Sequence, residues 1–164
     1  MKNQLSSIRF GLIISMLTLF FGLGMGMLFG MKEDAVKNWI DEGIAQHSSL
    51  HDSKSPAKIW RYAQRAHFHA MGIGAATIAL ILVVGYSDLR RKLKTITAIL
   101  IGLGGLYPLA WFSMFLLGPS MGREAAHHAF ITEFWTHLGV GSLFVGMLIL
   151  FSHILFGIGQ ENSE

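Results

Sequence analysis

Four apolar stretches, Phe10 to Gly30, Ala66 to Tyr86, Thr95 to Leu117 and Phe130 to Ile158, run through the chain with almost no ionisable side chain inside them apart from histidine and tyrosine. Each can cross a hydrocarbon core of about 30 Å, for which about 20 helical residues suffice. In lipid the backbone must satisfy its own hydrogen bonds, so stretches of this length are expected as helices. The last is longer than a perpendicular crossing needs and is expected to tilt or project. The expected fold is all-α: a single integral membrane domain over 1–164, a four-transmembrane-helix bundle with spans at about 10–30, 66–86, 95–117 and 130–158.

Composition agrees, since 52% hydrophobic and 14% charged residues leave too little polar surface for an ordinary soluble domain. Lys2 and Arg9 precede the first stretch as they would in a signal peptide. Its run of about 20 residues and the lack of an Ala-x-Ala site argue for a retained helix instead. There is no cysteine, which excludes disulfides, thiolate metal sites, iron–sulfur clusters and thioether-linked haem. The basic residues stand beside span ends, where they set topology, and nucleic-acid binding is not expected.

The connection after the second stretch holds Arg90, Arg91, Lys92 and Lys94 against Asp88 alone, which makes it cytoplasmic by the positive-inside rule. Both termini then share that side, the tail Gln160 to Glu164 included, as in a multi-pass protein of a bacterial inner membrane. The other connections face outward. In the first of them, about 32–62, Ala35, Val36, Trp39, Ile40 and Ile44 recur at helical spacing among charges, predicting an outer amphipathic helix lying on the membrane surface between helices 1 and 2. Ser48 to Pro56 reads as its loop-like exit.

Gly22, Gly26 and Gly30 recur every fourth position, and Ala70/Gly74 and Ser142/Gly146 repeat that spacing, which lets helix backbones approach closely. Pro108 is expected to kink the third span and free a carbonyl that a neighbour must satisfy. A faint repeat between Met27–Ala35 and Met114–Ala125 raises a finer reading, two tandem helical hairpins.

Every histidine except His153 falls toward the outward side. His47 and His51 belong to a polar loop. His69 is expected about 5 Å inside the second span, Glu133 about 5 Å and His137 about 10 Å inside the fourth. At such depths a polar group needs a partner. Glu133 and His137, four apart, share a helix face. His67 and His69 lie about 200° apart on the wheel, so His69 is read as inward and His67 as interfacial, with the reverse assignment open. Glu124 and His128 repeat the four-residue spacing at the mouth of the last helix.

Three chemistries suit these residues. His69 and His137 from facing helices would ligate haem b, with Gly72, Gly74, Gly139 and Gly141 leaving room and Arg61, Arg65 and Arg123 meeting the propionates. Glu133 and His137 with His69, His127 or His128 would hold a transition metal, Cu, Fe or Zn. Glu133, His137 and Trp135 would line a quinone pocket or proton path. The first two describe an electron-transfer subunit handing electrons between a membrane carrier and a periplasmic redox partner. The alternative is a non-catalytic assembly or scaffold subunit of a larger membrane complex or a homo-oligomer.

Arg65-Ala-His-Phe-His-Ala-Met-Gly72 followed by Gly104-Gly-Leu-Tyr-Pro-Leu-Ala-Trp111 resembles small four-helix bacterial inner-membrane proteins of unassigned function. That resemblance spans the second and third stretches and implies a small membrane protein without carrying over an activity. The histidine-rich span starts also resemble helices of haem-copper oxidase and b-type cytochrome subunits, but the chain is far too short for an oxidase core.

Overall fold

The computed structural model describes residues 2–160, with no β-strand among them. The tail read at 161–164 lies outside the described residues. Its helices are α1 (Lys2–Gln46), α2 (Ser55–Tyr86), α3 (Arg91–Gly104), α4 (Pro108–Met121), α5 (Arg123–His127) and α6 (Phe130–Phe156), with a 3₁₀ turn at Ser48–Leu50. Four helical segments are long and apolar enough to cross a membrane: Leu5–Gln46, Ser55–Tyr86, Arg91–Met121 and Phe130–Phe156. The connections gather at two ends, one rich in histidine (47–54 and 122–129) and one basic (87–90, with 157–160 beside it).

The amphipathic segment is not a separate helix on a membrane surface. It continues α1 past a kink at Lys32 (φ −140°, ψ 30°) and stops at Gln46, while 55–62 belong to α2. Its apolar face finds protein: Ile40 is buried with Met25, Ile59 and Phe115, and Gly43 lies against Pro119. Burying that stripe against α2 and α4 satisfies the same periodicity that a lipid surface would.

The third span breaks where proline predicts. From Gly105 to Ala110 the backbone bonds are of the i→i+3 kind, with Tyr107 N–H reaching the Gly104 carbonyl at 3.2 Å and Leu109 N–H the Leu106 carbonyl at 3.0 Å. Pro108 has no N–H, so the regular ladder cannot close. The freed Gly105 carbonyl accepts the Thr18 hydroxyl of α1 at 2.9 Å, which is the neighbour's bond that the sequence demands.

The third span is the centre of the molecule, with half of its most apolar window buried against 22% for the first span and 28% for the last. α1 and α2 pack together along one side of it and α6 packs along another, while α2 and α6 share no packing seam. Small residues set these approaches. A Cβ on Gly11 would overlap the carbonyl oxygen of Ala98 on α3, and Gly22, Gly139 and Gly146 face Ala70, Tyr107 and Ile101. Gly30, the third member of the α1 repeat, faces open space. Gly122, with φ +82°, turns α4 into α5, and Gly157, with φ +65°, ends α6; both conformations favour glycine.

Candidate functional site

The histidine-rich end is tied together by its polar loop. Asp52 accepts the Lys54 backbone N–H at 3.1 Å and the Ser55 hydroxyl at 2.9 Å, opening α2 with a side-chain turn. Its other oxygen accepts Arg123, at the start of α5, at 3.0 Å. The Ser55 hydroxyl bond, helped by the Arg123 charge, holds the Asp52 carboxyl below its ordinary range. Beside it His51 Nε2–H donates to the Pro119 carbonyl at 3.0 Å. Arg123, expected as an anion contact, is thus already paired.

Next to this latch lies a polar pocket of about 480 Å³ lined by Leu50, Tyr62, Arg123, Glu124, His127 and His128. His127 and His128 meet edge to face at 4.9 Å, and His128 Nδ1 lies 3.3 Å from Glu133. The Glu133 partner is therefore His128 and not His137, because the chain folds back after α5 and sets His128 over the first turn of α6. Glu124, which shares the four-residue spacing with His128, makes no ion pair among the described residues. Those residues hold no group of three or more His, Asp or Glu able to grip a metal ion.

His67 and His69 both turn toward protein, on opposite sides. His67 Nδ1–H donates to the Gly22 carbonyl of α1 at 2.8 Å, with its ring over Gly26 and beside Phe29. His69 Nδ1–H donates to its own helix, to the Arg65 carbonyl at 2.8 Å, and its ring stands 5.5 Å from Tyr107 and 5.7 Å from Trp111. The inward-or-interfacial choice fails because α2 runs between α1 and α4, so residues on opposite faces are both covered. With Nδ1 committed as donor, the neutral His69 ring carries its lone pair on Nε2.

Arg65 lies over the Trp111 ring at 4.7 Å, and Tyr62 carries the aromatic series from Trp111 (6.0 Å) to the polar pocket. Tyr107, the residue that caps α4, and Trp111 are four apart and present one face to His69. Sequence reasoning left both out of the site. Their four-residue spacing across the Pro108 break was the available signal.

His137 does not join His69. It is exposed on α6 and makes none of the hydrogen bonds or ring contacts found among the described residues. The α6 face that packs inward carries Gly139, Ser142 and Gly146, about 200° around the wheel from His137 where Gly139 meets Tyr107. The two helices expected to face each other are separated by α4. Comparison with protein-family models, characterised proteins and solved structures finds no match for this chain.

Proposed function

We propose that the chain is a membrane subunit that binds the headgroup of a quinol at the histidine-rich end, on the face of α2 that carries His69. The observation that carries this reading is His69, whose Nδ1–H···O bond to Arg65 leaves Nε2 as an acceptor beside the rings of Tyr107 and Trp111. A quinol offers hydroxyl donors on a flat ring, so it suits a lone pair set among aromatic faces. When bound, the quinol supplies two-electron redox chemistry; the chain's part is to accept a hydrogen bond at His69 and to hold the ring against Trp111. By the positive-inside argument the basic end faces the cytoplasm of a bacterial inner membrane and the His69 end faces outward.

A short-chain quinone titrated into the purified protein is expected to quench tryptophan fluorescence, and His69→Ala to weaken that binding about tenfold. Saturable binding unchanged in His69→Ala overturns the reading. A second reading, haem b with His69 as one axial ligand and Arg65 near a propionate, draws on the same free Nε2. It requires a Soret band in the protein as purified, altered by His69→Ala. Loss of both readings favours the assembly role.

A further inference from the structure

At the basic end of the molecule lies a second pocket, of about 490 Å³, between the last turn of α2 and the last turn of α6. Leu82, Val83 and Ile154 form its apolar wall, and Ser87, Asp88 and His153 its polar one. The chain after α6 closes its floor: Arg90 N–H and Nε–H bond the Gly159 and Gln160 carbonyls at 2.9 Å.

Two polar groups there have a free valence among the described residues. His153 is only 8% exposed and donates Nδ1–H to the Ile158 carbonyl at 3.0 Å. Its Nε2 has no hydrogen-bond partner among the described residues, and its ring lines the pocket. Asp88 is the one acid beside Arg90, Arg91, Lys92 and Lys94, yet it pairs with none of them; the ion pairs among the described residues are Glu33–Lys37, Asp52–Arg123 and His128–Glu133. A lone pair and a carboxylate at one apolar cleft ask for a cation that also donates hydrogen bonds.

We infer that this pocket binds the primary-ammonium headgroup of an aminophospholipid. Its ammonium sits against Asp88 and His153 Nε2, its phosphate lies toward the Arg90 side, and an acyl chain runs along Leu82, Val83 and Ile154. The charge order fits a zwitterion, acid within the pocket and cations at its rim, and the site stands where helix ends meet headgroups. A wholly anionic lipid would meet the Asp88 carboxylate.

The test is lipid retention by the full chain, delipidated in mild detergent and examined by native mass spectrometry with phosphatidylethanolamine, phosphatidylcholine and phosphatidylglycerol. Phosphatidylethanolamine is expected to bind best. Phosphatidylcholine is expected to bind weakly, since its quaternary ammonium has no N–H. Asp88→Asn is expected to lower phosphatidylethanolamine binding about tenfold with helix content unchanged; Asp88 is exposed, so the variant should fold. His153→Leu is expected to lower phosphatidylethanolamine binding to the phosphatidylcholine level, with circular dichroism reporting whether α6 is intact. Equal binding of the three lipids, preference for phosphatidylglycerol, or an Asp88→Asn protein that binds as before overturns the inference. So does competition at equal strength by glycerophosphoethanolamine, which would mark a soluble amine as the ligand.

Discussion

α2 presents two faces at one depth, and they are built for different ends. Toward α1 it meets glycine: Gly22 and Gly26 bring the backbone so near that His67 reaches a carbonyl of the other helix. Toward α4 it meets rings: Tyr107 and Trp111 stand beside His69, and that histidine bonds only its own helix. Two residues of one type, two positions apart, thus become a cross-helix bond and a free acceptor. Opposing residue size decides the outcome, because a helix carbonyl can be reached only where no side chain stands in front of it.

The glycine-lined packing of α1 can be broken at its tightest point, which lies against α3. Gly11→Ala would push a methyl into the Ala98 carbonyl of α3, where only backbone can yield. The expected destabilisation is about 3 kcal/mol or more, at or beyond the usual range for overpacking. Gly141, with open space around it, gives the contrast: Gly141→Ala should be neutral or gain up to about 1 kcal/mol from helix propensity. Denaturation of both variants in the same micelles, followed by circular dichroism, checks the pair. Equal effects would mean that the α1–α3 contact is not close.

The next prediction sets the two histidines against each other. His67→Ala should cost about 1–2 kcal/mol for the lost interhelical bond and its ring packing. His69→Ala should cost less than about 0.5 kcal/mol, the usual scale away from such features, while removing the quinone response. A larger loss of stability at His69 than at His67 would reverse the comparison. Thr18→Val probes the break in the third span, since it strands the Gly105 carbonyl that proline geometry freed. About 1–3 kcal/mol is expected for leaving a buried acceptor unpaired, and Thr18→Ser should recover most of it.

How much of this could be read from the chain differs from element to element. The four spans and the Pro108 break were legible because both follow from local rules, hydropathy over about 20 residues and a missing N–H. The apolar stripe of Val36, Ile40 and Ile44 was also legible, but periodicity does not say whether lipid or protein covers a stripe. It is protein, since Ile59 and Phe115 reach Ile40. The pairing of His69 with His137 misled for a related reason. Wheel angles are reliable within one helix, whereas whether α2 faces α6 depends on which helix takes the centre. That place went to the third span, whose Gly102 and Gly104 admit α1 on one side and α6 on the other. Asp88 and His153 lie 65 positions apart (153 − 88), and no spacing rule joins them.

The smallest effect concerns how the histidine-rich end is held shut compared with the basic end. At the first, Asp52 and Arg123 link α2 to α5 by side chains at the surface; at the second, Arg90 is fastened by its backbone to the Gly159 carbonyl. Only the first should feel mild acid. The Asp52 carboxyl, ordinarily near 3.8, is lowered in the folded chain by the Ser55 hydroxyl and Arg123. A lowered folded value means that the contribution is complete above the ordinary value and is lost as pH falls through the depressed one. Hydrogen exchange at Ser55 to Lys58 should therefore quicken on acidification below about pH 4, while exchange at Arg90 keeps its protection. Asp52→Asn should make the first region quick to exchange already at neutral pH and flatten its acid dependence. An unchanged acid dependence in that variant would overturn the role given to Asp52.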